Sequence, residues 1–188
     1  MEAIMYLGKG KFPPVKFFIS VIYHDSGDLD AVVAAVRESI GEISTPSESF
    51  PFDFTDYYEP EMGSPLFRIF LPLKKTGPAD GILPIKKACL ELEARFSEKN
   101  RRKVNLDPGY IDLYKLVLVS EKYLGHKIYI GEGICADMVL LLGKKQVTPF
   151  RWTFPDFKSG NYDNYILELR KNYLQQLKNE GILPGPKA

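Results

Sequence analysis

The chain has 188 residues, 45% of them hydrophobic and 13% aromatic, which is enough for one sizeable core. Its 25 Lys and Arg nearly balance its 24 Asp and Glu, so there is no bulk-charge case for a nucleic-acid or anionic-membrane partner. No apolar run approaches the roughly 18 to 20 residues that span a bilayer, the first nine residues lack the pattern of a signal peptide, and Cys89 and Cys135 have no metal or redox spacing. The composition therefore reads as a cytoplasmic protein with no membrane span, whose two cysteines act as small buried hydrophobes.

Residues 1–14 mix Gly8, Gly10, Pro13 and Pro14 with lysines and predict a flexible arm. Val15–Tyr23 is a nearly unbroken β-branched and aromatic run, the pattern of a central strand covered on both faces. Asp25, Ser26 and Asp28 offer N-cap oxygens to a helix in which Leu29, Val32, Val33, Val36 and Ile40 recur at helical spacing until Gly41. The string Phe50-Pro-Phe-Asp-Phe-Thr-Asp-Tyr-Tyr-Glu-Pro-Glu-Met-Gly63 then lacks any helical period, apart from a short strand expected near Phe52.

Residues 66–73 predict a strand, in which Pro72 removes a ladder donor and argues for an edge or a strand end. Ile85, Ala88, Cys89, Leu92 and Phe96 fit a second amphipathic helix that should stop near Asn100. Asn105-Leu-Asp-Pro-Gly-Tyr110 fits a strand end entering a type II turn, with Pro108 at its first centre and Gly109 at positive φ. Residues 113–119, 126–130 and 134–142 predict an antiparallel meander separated by glycine turns, although Leu113, Leu116, Val117 and Leu124 also fit a helix. Asn161 or Asp163 can cap a final helix whose stripe is Tyr165, Ile166, Leu169, Tyr173 and Leu177.

The order of elements predicts a single-domain α+β sandwich: a split β-α-β-β-α-β core extended by an antiparallel β-meander and a C-terminal helix. Its expected bounds are an arm over 1–14, one domain over 15–180 and a loose tail over 181–188.

Two segments stand out chemically. Residues 50–63 set Asp53, Asp56, Glu59 and Glu61 among five aromatic rings, a costly mixture unless the acids have partners or face water. Asp53, Glu59, Glu61 and Asp107 are the oxygens that would hold Mg²⁺, and the competing reading is that the aspartates make local turns or caps while the glutamates are solvated. Asn105, Asp107 and Tyr110 on a stiff Pro-Gly scaffold suit ligand selection, though the dipeptide alone explains a turn. Arg101 and Arg102 belong to the one compact basic cluster and either meet phosphate or form a solvated helix terminus. His126 can exchange a proton near neutrality or serve as an ordinary hydrogen-bonded surface residue. Tyr57 and Trp152 offer rings for stacking or for sealing a core edge.

Gly131-Glu-Gly-Ile-Cys-Ala136 matches a dinucleotide fingerprint formally, but the residues after it are β-prone and too few for that fold, so it reads as a hairpin turn. Gly8-Lys-Gly-Lys11 precedes any strand and is no phosphate-binding loop.

Four strings, residues 50–63, Asn105-Leu-Asp-Pro-Gly-Tyr110, Gly131-x-Gly-Ile-x-Ala136 and Trp152-Thr-Phe-Pro-Asp-Phe157, occur in order. On them the chain resembles, from about Val15 to Leu177, an uncharacterised prokaryotic family of this length described only as a domain of unknown function. Cys135 and Phe157 stand where that pattern has Tyr, and the resemblance brings no activity or catalytic residues.

The leading expectation is a protein that binds a phosphorylated or nucleotide-like small ligand, with the two unusual segments lining one cleft. In its enzymatic form the four acids hold a divalent metal for hydrolysis, His126 moves a proton and Arg101 or Arg102 neutralises phosphate. The alternative is a non-catalytic protein- or RNA-interaction module that uses the aromatic 50–58 segment as its contact surface.

Overall fold

The computed structural model describes residues 12–99 and 101–183; most of the expected arm, and the tail from Pro184, lie outside the described residues. β1 (Val15–Tyr23) is buried at every position, as its two-sided apolar run requires. α1 (Ser26–Ser39) starts at Asp25, whose carboxylate accepts the Gly27 N–H at 2.7 Å. β2 (Phe50–Pro51), the single turn α2 (Glu59–Met62), β3 (Phe67–Gly77) and α3 (Ile82–Arg95) follow. A small hairpin of β4 (Ser97–Glu98) and β5 (Arg101–Arg102) leads into β6 (Val104–Ile111). The chain continues through β7 (Lys115–Ser120), β8 (Ile128–Gly131), β9 (Ile134–Leu142), β10 (Val147–Pro149), α4 (Pro155–Lys158) and α5 (Asp163–Asn179).

The main sheet runs β10-β9-β7-β6-β1-β3-β2, with β8 also on β9, and every pairing is antiparallel. Its β6-β1-β3-β2 portion is the split β-α-β-β-α-β arrangement. Alternation along β1 assigns the two faces. Phe17, Ile19, Val21 and Tyr23 pack with α1 and α3 through Val32, Val36, Cys89 and Leu92. Phe18 packs on the other face with Phe70, Leu118 and the Ile166, Leu169, Tyr173 and Leu177 stripe of α5. Ile22 joins a third cluster with Phe52, Met62 and Leu66. Each fully buried large side chain contributes about 1.5–3 kcal/mol. Cys89 and Cys135 are both buried free thiols within these layers, and burial raises the Cys89 pKa. Among the described residues no helix is long and apolar enough to cross a membrane.

The largest correction to the sequence reading concerns residues 105–110. β6 opposes β1 continuously from Lys16 and Ile111 to Tyr23 and Val104, so the expected type II turn is a strand. Gly109 serves a close approach: a Cβ there would meet the Val117 carbonyl oxygen, Phe18 Cζ at 2.7 Å and Leu118 Cδ2 at 2.8 Å. Arg101 and Arg102 form strand β5 and not a helix terminus, because α3 has already ended at Arg95. Neither Asn161 nor Asp163 caps α5; Tyr162 takes that position with no side-chain capping bond, its ring buried among Phe50, Phe70 and Phe157. Pro72 lies inside β3, and its carbonyl accepts the Ser44 N–H at 2.8 Å, so the donor it lacks faces the 42–47 segment and not the ladder to β1.

The expected extension is antiparallel sheet, and residues 115–120 are strand. Its order differs from a sequential meander, since β7 pairs directly with β9 and β8 folds back on the outer edge of β9. Glu132 and Gly133, at φ 54° and 78°, make the tight left-handed turn that forces this β8–β9 hairpin.

Gly109→Ala is expected to destabilise the protein by about 2–4 kcal/mol, because one of the obstructing atoms is backbone and cannot rotate away. Urea unfolding measures this, and a loss below about 1 kcal/mol would mean that β7 is free to move outward.

Candidate functional site

The site begins with a missing hydrogen bond. β6 pairs with β7 only at Gly109, Tyr110 and Ile111, and the next rung would set Pro108 against Val119. Leu106 turns its N–H and C=O away from β1, donating to Glu93 Oε1 at 2.5 Å and accepting from Lys86 Nζ at 3.4 Å. Pro108, two residues on, shares that direction, so the donor proline lacks is one that β7 needed. The strands part there. Lys86 and Glu93 of α3 fill the backbone bonds that β7 no longer supplies, and a cavity of about 550 Å³ opens at the fork.

The cavity floor follows from register. Ile22 lies opposite both Arg68 and Asn105, Ser20 opposite Asp107, and Leu118 opposite both Gly109 and Asp137, so these side chains share one sheet face. Ser20, Arg68, Asn105, Asp107, Ser120 and Asp137 therefore form a polar band between the Phe18 and Ile22 clusters. Arg68 is 5% exposed; it donates to Ser20 Oγ at 2.5 Å and pairs with Asp156 at 3.1 Å. Its guanidinium lies 4.9 Å from the Phe52 ring centre and 5.3 Å from that of Phe157. Arg68 Nε and Asp137 Oδ1 are buried without a hydrogen-bond partner among the described residues.

The walls are aromatic. Phe52, Phe54, Tyr57, Tyr58, Phe154 and Phe157 line the cavity with Leu90, Leu118 and Leu124. Lys127 Nζ donates to Ser120 Oγ at 2.8 Å inside it, and Lys122 Nζ donates to the Tyr57 hydroxyl at 3.0 Å at the rim. That bond from Lys122 lowers the Tyr57 pKa, while burial raises those of Tyr58 and Glu93.

Of the residues singled out in the sequence, Tyr57, Arg102, Asn105 and Asp107 line this cavity. They extend into a relay: Arg102 donates to Glu61 at 2.7 Å and to Asn105 Oδ1 at 3.0 Å, and Asn105 donates to Asp107 Oδ2 at 2.7 Å. The four acids do not gather as expected. Asp53 is exposed, Glu59 accepts from Ser64 at 3.3 Å, and Glu61 is held by Arg102. Among the described residues no three His, Cys, Asp or Glu side chains are placed to hold a metal ion.

Tyr110 packs against Phe17 on the opposite face, and Arg101 is exposed on its hairpin. His126 stands behind the lining, 3.3 Å from Asp137 Oδ2, and stacks on Trp152, which in turn stacks on Phe150. The 50–58 segment turns Phe50 and Phe52 inward and leaves Tyr57 exposed.

Arg68, Asp137, Lys127, Ser120 and Glu93 were not identified from sequence. Arg68, Ser20 and Asp137 are single polar interruptions of strands that read as buried, and that was the available signal. A second groove of about 730 Å³ lies between β3 and α5, where Lys16 Nζ is already bound to Lys74 O and Gln176 Oε1, both at 2.9 Å.

Fold and site together define an α+β domain with an aromatic-walled, charge-floored cleft inside its sheet. The chain belongs to the family described as Domain of unknown function (DUF4416), whose model it matches over residues 13–173. No curated protein and no solved structure matches it.

Burial raises the Glu93 pKa above its ordinary 4.5, so the folded protein binds a proton there more tightly than the unfolded chain does. The stabilising contribution is complete below 4.5 and declines as pH rises toward the elevated value. Glu93→Gln keeps an acceptor for Leu106 N–H and should remove that decline. Unfolding free energies measured from acid to neutral pH test this, and equal slopes in both proteins would contradict it.

Proposed function

We propose that the cleft at the β6–β7 fork binds a nucleotide-like small ligand. The observation that carries this reading is the combination of aromatic walls with a buried, charged floor in a cavity of about 550 Å³. Drug-sized and cofactor-sized ligands occupy cavities of about 300–1,000 Å³ in which a few polar groups fix orientation between apolar walls. Phe54, Tyr57 and Phe154 supply faces for a flat ring. Lys122 at the rim and Lys127 within, a residue only 9% exposed, supply positive charge for a phosphate. Arg102 sets the Asn105 and Asp107 side chains and is itself neutralised by Glu61, so it serves as a positioning group in this reading.

Three of the four strings that carry the family resemblance contribute lining residues: Phe52, Phe54, Thr55, Tyr57 and Tyr58 from the first, Asn105 and Asp107 from the second, and Phe154 to Phe157 from the last. That concurrence favours ligand binding over the aromatic segment as a protein or RNA contact surface, since Phe50 and Phe52 are turned inward. The reading assigns no reaction.

Calorimetric titration of the full chain with the four common ribonucleoside 5′-monophosphates, with inorganic phosphate and free nucleosides as separate arms, tests it. At least one nucleotide is expected to bind, and Phe54→Ala should weaken it by about tenfold, in line with about 1–3 kcal/mol for a base stacked on an aromatic ring. Heat from phosphate alone, with no contribution from the base, would refute the ring-binding part. No binding in any arm would refute the whole.

A further inference from the structure

We infer that Asp137 is a specificity-determining residue of this cleft, and that its free oxygen selects a ring carrying an N–H donor over one that presents only acceptors. The inference rests on the cleft being a ligand site and goes beyond it by naming the ligand edge that is read.

Asp137 interrupts an otherwise apolar strand, β9, and is only 3% exposed. A carboxylate taken out of water in such a place is costly unless each oxygen has a donor. One oxygen has one: Oδ2 lies 3.3 Å from His126 Nε2. The other, Oδ1, has none among the described residues, although Asp137 lines the cavity. Ile128 is opposite Ala136, so continuing the antiparallel register sets Lys127 beside Asp137, yet the Lys127 ammonium donates to Ser120 Oγ at 2.8 Å, and among the described residues the one ion-pair partner of Asp137 is His126. The carboxylate is thus held on one side by a histidine, and its second oxygen is unpaired in a residue that lines the cavity. An amino group or ring N–H complements it; a phosphate or a carbonyl is repelled.

At the opposite end of the floor, Arg68 Nε is a buried donor with no acceptor among the described residues, on β3, four strands away from β9.

The experiment compares matched nucleotides that differ by one amino group: adenosine 5′-monophosphate against purine riboside 5′-monophosphate, and cytidine 5′-monophosphate against pyrimidin-2-one riboside 5′-monophosphate. Titrations use the full chain and Asp137→Val, which removes both oxygens, suits a strand and keeps His126 stacked on Trp152. The wild type is expected to bind the amino-bearing member of at least one pair about tenfold more tightly, a difference of about 1.4 kcal/mol. The variant should bind both members equally while retaining a cooperative melt. Binding without discrimination, or discrimination that survives in Asp137→Val, overturns the role of Asp137 and leaves the cleft reading standing. Absence of binding to all four overturns both. Should the variant not fold, the wild-type comparison decides: equal affinity within each pair overturns the inference.

Discussion

The absent N–H of Pro108 is the constraint on which the site depends. A continuous β6–β7 ladder would have closed the sheet with ordinary backbone bonds and left no room between the strands. Because proline cannot donate, the ladder ends at Gly109, where the strands are pressed together so closely that no side chain fits, and beyond it they diverge. Pro108 and Gly109 act as a hinge point in the static sense: one opens the fork and the other pins its vertex. The exposed peptide at Leu106 would then be a buried, unpaired group, and two charged residues of α3 are recruited to satisfy it. Lys86 and Glu93 are buried for that reason, and their presence at the fork makes the cleft polar at its base.

Charges on the other side of the cleft obey the same logic of satisfaction. Arg68 lies in a strand between Phe67 and Ile69 and would be intolerable there alone. Asp156 neutralises it, Ser20 accepts from it, and the Phe52 and Phe157 faces offer their π-electrons to its plane. The short α4 turn exists to deliver Asp156 and Phe157 to this point, which ties residues far apart in the chain into one wall. Such a network tolerates few alternative packings, so the cleft is held rigidly by β1, β3 and β6 instead of being draped over them.

Much of the layer structure was legible in the sequence because it is written in period. The nine buried residues of β1, the 3.6-residue stripes of α1, α3 and α5, and the β-branched runs of β7 and β9 each announce their type. Residues 105–110 were misread because Pro-Gly is locally a turn signal, and only the tertiary pairing with β1 reveals that φ near −65° and a missing Cβ suit a strand pressed against its neighbour. The order of β7, β8 and β9 was hidden for a similar reason: local pattern identifies strands but not which edge each one finds. At the site, Asn105, Asp107, Arg102 and Tyr57 were visible as unusual local chemistry. Arg68 and Asp137 were not, since a single charge in an apolar strand gives no hint of the partner that awaits it across the fold.

The fate of the acidic segment follows from competition for those carboxylates. Glu61 lies within reach of Arg102, and a guanidinium is a permanent cation that no proton loss removes. Once Arg102 is seated over Tyr58 and bound to Asn105, Glu61 is committed to it, and Asp107 is committed to Asn105. The relay that results places no lone acid pair at that wall; it orients an amide and a carboxylate along β6 with their geometry set by Arg102 in the same wall. Asp137 is the contrasting case, a buried carboxylate whose cross-strand lysine, Lys127, is bound to Ser120. The polarity of the cleft is therefore asymmetric by construction: its charges are settled along β6, and one unsatisfied acceptor remains on β9, at the end where the sheet has turned back on itself.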